Sequence, residues 1–144
     1  MKGYFGIGIY HPKTIENLGT LWRSAFLFGA SFIFTIGDRY KKQASDTCKT
    51  WNNIPLWQFK TFSEFRKSQP KDSEIICVEL NKQSINLKEF KHPKRAIYML
   101  GAEDKGIPPI IYKKYITVVI PTTKTFSMNV ATAGSIILYD RFIK

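Results

Sequence analysis

Ala96-Ile97-Tyr98-Met99-Leu100-Gly101-Ala102-Glu103-Asp104-Lys105-Gly106-Ile107-Pro108 is the stretch that decides the fold class. Its apolar opening, 96–100, has the length and continuity of a strand covered on both faces. A glycine-bracketed acidic loop follows, and Pro108 to Lys114 reads as a short helix with basic residues towards its end. Buried strand, loop, then helix is the repeating unit of a parallel sheet. The same unit recurs in both directions along the chain. Apolar runs at Tyr4–Tyr10, Ser31–Ile36, Leu56–Phe59, Glu74–Val78 and Ile116–Ile120 read as further strands. Between them, Leu18, Leu21, Trp22, Ala25 and Phe28 keep helical spacing from Asn17 to Gly29, and Gly29 is placed to end that helix. Thr61 to Gln69 is a second helix, and Met128 to Phe142 is the last, with Ser127 as its expected N-cap. The class is therefore α/β, a mostly parallel sheet flanked by helices.

The chain has 144 residues, and 22 Lys plus Arg against 11 Asp plus Glu leave a formal net charge of +11. Its length suits one domain, 1–144, without internal repeats or a linker. With 44% hydrophobic and 15% aromatic residues it has material for a core, which argues against intrinsic disorder. A positive excess on this scale attracts polyanions by counterion release, so RNA, DNA or an anionic membrane are the candidate partners. Many basic proteins carry such an excess for solubility alone, and charge by itself names no nucleic acid. Cys48 and Cys77 lie far apart and outside any C-x-x-C spacing, so neither a zinc site nor a disulfide framework is expected. No stretch reaches the length of a membrane span, and the apolar run at Tyr4 is too short for a signal peptide. These features lead to the expectation of a cytoplasmic protein without membrane attachment or bound metal.

Three blocks place glycine or small polar residues where strands give way to loops or helices. In Asn17-Leu18-Gly19-Thr20-Leu21-Trp22-Arg23, Arg23 lies off the apolar stripe one turn beyond Gly19, whose missing side chain leaves room for a ligand beside the guanidinium. Asn17 is placed to cap that helix. In the second block, Gly101 and Gly106 bracket Glu103 at a strand end, where ligands of open parallel sheets bind. The third, Ile120-Pro121-Thr122-Thr123-Lys124-Thr125-Phe126-Ser127-Met128-Asn129-Val130, leads into the last helix, whose first N–H groups face this turn. Each block alone is also explained by an amphipathic helix, a capped turn or an ordinary N-cap.

Together and in this order, the blocks resemble the SpoU–TrmH branch of the SPOUT RNA methyltransferases. Asn17, Gly19 and Arg23 match that family's first motif. Leu100, Gly101, Glu103 and Gly106 match the second, L-G-x-E-x-x-G, and Ile120, Pro121, Ser127, Met128, Asn129 and Val130 match the third. The chain departs from the family at Thr123-Lys124-Thr125-Phe126, where many members have small residues, and at the bulky Trp22.

The resemblance implies a deep C-terminal trefoil knot, an exception to the usual unknotted topologies, and a homodimer. It implies S-adenosylmethionine as cofactor, held by Val78, Gly101, Ile120, Ser127, Met128 and Asn129, and a catalytic set of Arg23, Asn17 and Glu103. The reaction would be methylation of a ribose 2′-hydroxyl, with tRNA preferred to ribosomal RNA because the chain is similar to the small single-domain TrmL-like enzymes. A guanidinium is a poor base. Arg23 is therefore expected to orient a phosphate and stabilise developing alkoxide charge, with a general-base role as the alternative.

Lys13, Arg39, Lys41, Lys42, Lys49 and Lys124 form the expected RNA-binding surface, and Tyr40 and Trp51 are placed to stack on unpaired bases or to pack against the protein. Two other classes remain at this point. One is a non-catalytic RNA-binding protein on the same fold. The other is a nucleotide-dependent oxidoreductase, which is disfavoured because Gly6-x-Gly8 sits inside the first strand and His11 occupies the place of the third glycine. His11 and His92 read as surface or loop histidines.

Overall fold

A computed structural model describes residues 3–37 and 53–144. Its elements run β1 (Tyr4–Tyr10), α1 (Ile15–Leu27), β2 (Phe32–Ile36), β3 (Leu56–Phe59), α2 (Phe62–Ser68), β4 (Glu74–Val78), β5 (Ile85–Asn86), β6 (Arg95–Gly101), α3 (Pro109–Tyr112), β7 (Ile116–Val119) and α4 (Val130–Ile143). The strands form one sheet in the order β3-β2-β1-β6-β4-β7-β5. Every pairing in it is parallel. The six apolar runs are all strands, and the two-residue β5 is an addition that no hydrophobic run announces.

Side chains alternate across the strands, so each buried strand feeds two cores. Phe5, Ile7 and Ile9 of β1 and Tyr98 and Leu100 of β6 join Leu18, Leu21 and Trp22 of α1 and Ile137 and Leu138 of α4. On the other face, Phe32 and Phe34 of β2 and Ile97 and Met99 of β6 pack with Phe65 of α2 and Ile111 of α3. The result is a three-layer arrangement.

This packing explains the Gly6-x-Gly8 pair. A Cβ on Gly6 would stand 2.3 Å from the Phe32 ring, and one on Gly8 would stand 2.3 Å from the Phe34 carbonyl oxygen. The glycines give up side chains so that two phenylalanine rings can lie over β1. They serve packing, as their place within a strand suggests, and not a dinucleotide turn.

The helix starts differ from the sequence expectation. Thr14 caps α1, its Oγ1 accepting from the Asn17 N–H at 3.4 Å, so Asn17 lies inside the first turn. Asn129, not Ser127, caps α4, its Oδ1 accepting from the Thr132 N–H at 3.1 Å. Both corrections free a polar side chain for other work. Gly29 follows α1 at φ +81°, a conformation in which glycine is unstrained.

His92 lies in the loop before β6 but not at the surface. It is buried, with Nδ1 2.6 Å from the Tyr98 hydroxyl and Nε2 2.9 Å from Asp140. Arg141, likewise buried, donates to the Pro93 carbonyl at 2.6 Å, the Lys94 carbonyl at 3.1 Å and Tyr98 at 3.1 Å. These bonds fasten the end of α4 to the start of β6.

Candidate active site

Because the strands are parallel, their carboxyl ends lie together along one edge of the sheet, where the backbone leaves the ladder and loops are free to shape a cavity. A cavity of about 550 Å³ opens there, lined by the ends of β4, β6 and β7, by the 101–106 loop and by the segment that leads into α4. Its floor is apolar, built from Leu100, Val118 and Val130 among others. Val78, Gly101, Ile120, Ser127 and Met128 all line it, as do Glu103 and Lys124.

Asn129 is not on the cavity wall. While its Oδ1 caps α4, its Nδ2 donates to Asn17 Oδ1 at 3.0 Å. Asn17 in turn donates through Nδ2 to the Glu103 carboxylate. One polar residue from each of the three sequence blocks thus enters a single hydrogen-bonded chain at the rim of the cavity.

Arg23 is exposed on α1 and does not line the cavity. It lies six positions along the helix from Asn17, about 9 Å along the axis. Beyond its chain neighbours and its own helix backbone, no atom of the described residues lies within 4 Å of a Cβ placed on Gly19, so the space expected beside that glycine is there. Lys13 is exposed in the turn after β1, at the same sheet edge as the cavity. Arg39, Tyr40, Lys41, Lys42, Cys48, Lys49 and Trp51 lie outside the described residues.

Glu79 was missed by sequence reading. It follows β4 as Glu103 follows β6, and its place beyond a parallel strand end was the available signal. Its Oε2 accepts from the Ile107 N–H at 2.8 Å and its Oε1 from the Leu80 N–H at 3.1 Å. With Glu103 and Asp104 it gives the cavity three carboxylates, in a chain whose net charge is +11. Lys105 and Lys124 line the cavity as well, so it carries charges of both signs. The Glu79 charge also reaches Cys77, whose thiol is pushed up to about 12 by burial first and by that charge second. Among the described residues, no group of three or more His, Cys, Asp or Glu side chains is placed to hold a metal ion.

The model of the SpoU rRNA methylase family matches residues 5–139. The chain belongs to this family. Among curated proteins, this SpoU-family chain is 28% identical to the tRNA (guanosine(18)-2'-O)-methyltransferase TARBP1 of Mus musculus, over 86% of this chain and 8% of that protein. It therefore spans a small part of that relative's length. A solved structure concerned with the 2-OH methylation of C/U34 on tRNA superimposes with a TM-score of 0.86 at 20% identity, covering 97% of this chain and 95% of the other. The AdoMet-bound rRNA methyltransferase from Sinorhizobium meliloti gives 0.85 at 21% identity, covering 98% of this chain and 56% of the other. At such identities the two structures speak for a shared SpoU fold.

Proposed function

We propose that this SpoU-family chain is an S-adenosylmethionine-dependent RNA ribose 2′-O-methyltransferase acting on tRNA. The observation that carries the reading is the Asn129–Asn17–Glu103 chain at the rim of the cavity, which joins residues from all three family blocks at the carboxyl edge of the sheet.

The cavity suits the cofactor in two respects. Apolar floor residues fit a flat aromatic base, and the Glu103 and Asp104 carboxylates fit ribose hydroxyls and a positively charged sulfonium or ammonium. Val78, Gly101, Ile120, Ser127 and Met128 would hold it, largely through backbone groups, with Asn129 fixing the start of α4 behind them. When bound, S-adenosylmethionine supplies an electrophilic methyl group to a ribose 2′-oxygen. The protein's contribution is then alignment and charge. Glu103, held by Asn17, shapes the rim. Arg23 orients a phosphate and stabilises negative charge on the attacking oxygen.

Arg23 stands off the cavity of its own chain, which favours a homodimer in which it serves the partner's site. The exposed Leu27, Tyr139, Phe142 and Ile143 supply an apolar face for a second copy, at the carboxyl ends of the adjoining helices α1 and α4. The proposal includes a C-terminal trefoil knot in one SpoU-type unit. The strand order is compatible with it, since β6 stands between β1 and β4 and β7 lies beyond β4.

Lys13 and Lys124, with Arg39, Lys41, Lys42 and Lys49, form the RNA-binding surface, and RNA affinity should fall as salt rises. For tRNA over ribosomal RNA, the support is that the curated relative is a tRNA 2'-O-methyltransferase and that the neighbour with a TM-score of 0.86 concerns 2-OH methylation of tRNA.

Mapping ribose methylation across total RNA, with and without the protein, tests the reading. A new 2′-O-methyl group in tRNA is expected. A new group in ribosomal RNA alone would reassign the substrate. RNA binding with no methylation and no S-adenosylmethionine binding would leave a non-catalytic RNA-binding protein.

A further inference from the structure

Glu79 has no counterpart among the family's motif residues, yet its carboxylate touches the loop that carries Gly101, Glu103 and Gly106. Its own backbone is held on both sides: the N–H donates to the Val118 carbonyl at 3.1 Å, and the carbonyl accepts from Ser84 Oγ at 2.7 Å. From this fixed base the side chain reaches the Ile107 N–H, 28 residues away in sequence, at 2.8 Å. Ile107 is buried at 3% exposure, and among the described residues Glu79 is the acceptor for its N–H. Without Glu79 a buried donor would be orphaned, which costs more than a typical hydrogen bond contributes.

The loop is built around that contact. Gly106 has φ +64° and donates to the Ala102 carbonyl at 2.9 Å, closing the loop on itself. A Cβ on Gly106 would stand 2.8 Å from Glu79 Oε2, so the carboxylate and the bare glycine occupy adjoining space. Glu79 also lines the cavity beside this loop.

We propose that Glu79 is a positioning residue for S-adenosylmethionine, clamping the 101–107 loop through Ile107 so that Gly101 and Glu103 meet the cofactor in a preformed arrangement. This role rests on the methyltransferase reading above. Its physical basis is preorganisation: a loop already held in its binding shape loses less freedom when the ligand arrives.

The test compares Glu79→Ala and Glu79→Gln with wild type by calorimetry with S-adenosylmethionine, by steady-state kinetics, and by amide exchange of Ile107 in the ligand-free chain. Glu79→Ala should weaken cofactor binding about tenfold or more, the usual scale for losing a hydrogen bond to a charged group. KM for the cofactor should rise, while kcat at saturation and KM for RNA stay near wild type. Exchange at Ile107 should quicken. Glutamine keeps one acceptor oxygen, so Glu79→Gln should restore affinity to within about threefold of wild type. If Gln binds as weakly as Ala, negative charge and not the clamp is what matters, and the positioning role is overturned. It is equally overturned if wild type binds and Glu79→Ala binds as well. A wild-type chain that binds no S-adenosylmethionine overturns the methyltransferase reading and this role with it. Should Glu79→Ala fail to fold, Gly106→Ala crowds the same carboxylate from the loop side. It should weaken cofactor binding and quicken Ile107 exchange, and unchanged values would count against the clamp.

Discussion

Asn129 Nδ2 donates to Asn17 Oδ1 at 3.0 Å, a bond between residues 112 positions apart that ties the entry of α4 to the first turn of α1. The same Asn129 side chain caps α4 through its other atom, and the Asn17 amide passes the connection on to Glu103. Capping and site assembly are thus done by one residue.

Asn129→Ala should lower stability by about 1–2 kcal/mol, the range for losing a helix cap, and should weaken methyl transfer as well. Asn129→Ser retains a capping oxygen but not the reach to Asn17, so it should recover most of the stability and little of the transfer. Urea denaturation and single-turnover methylation separate the two effects. Equal recovery of both would show that the bond to Asn17 adds nothing beyond the cap.

Arg23→Ala should abolish methyl transfer to RNA and leave S-adenosylmethionine affinity within about twofold of wild type, the pattern expected of a group that acts on the reacting oxygen and not on the cofactor. Methylation assays and calorimetry on the same preparation check it. Wild-type transfer in the variant would remove Arg23 from the reaction.

Gly19 and Gly8 should respond in opposite directions to alanine. Gly19→Ala, inside α1 with open space around its Cβ among the described residues, should stabilise the fold by roughly 0.5–1 kcal/mol. If that space is reserved for RNA, methyl transfer should fall at the same time. Gly8→Ala places a Cβ 2.3 Å from the Phe34 carbonyl oxygen and should cost about 1–3 kcal/mol or more. Thermal melts of the two variants, with methylation for Gly19→Ala, decide both.

Stability should fall in mild acid because of His92. Burial holds its pKa below the ordinary 6.5, outweighing the hydrogen bond and charge of Asp140, while Arg141 and Lys144 press in the same direction as burial. The unfolded chain therefore takes up a proton near pH 6.5 that the folded chain resists. The stability contributed by neutral His92 is full above that pH and is lost as the pH falls from there towards the lower folded value. Urea midpoints at pH 7.5 and below 6 should differ in wild type and converge in His92→Gln. An unchanged slope in that variant would place the effect elsewhere.

The pattern of burial along the chain was readable locally. Continuous apolar runs mark strands covered on both faces, and the 3.6-residue spacing from Leu18 to Phe28 marks α1, because both periodicities follow from the backbone alone. The blocks at 101–106 and 120–128 could be placed at strand ends for the same reason, and both line the cavity. Cap choice was not readable. Thr14 and Asn17, or Ser127 and Asn129, are all residue types that cap helices, and the structure uses Thr14 and Asn129. His92 shows the same limit: nothing adjacent in sequence announces Tyr98 and Asp140 as its partners.

The sequence by itself determined a parallel α/β fold, the family, and the residue types available at the cavity. Tertiary structure alone decided which of them meet. Asn17, Glu103 and Asn129 come together, Glu79 reaches Ile107, and Arg23 stays off the cavity of its own chain, because strand order and not sequence distance sets which loops share an edge. Periodicity reports which way a side chain faces. It carries no information about what faces it.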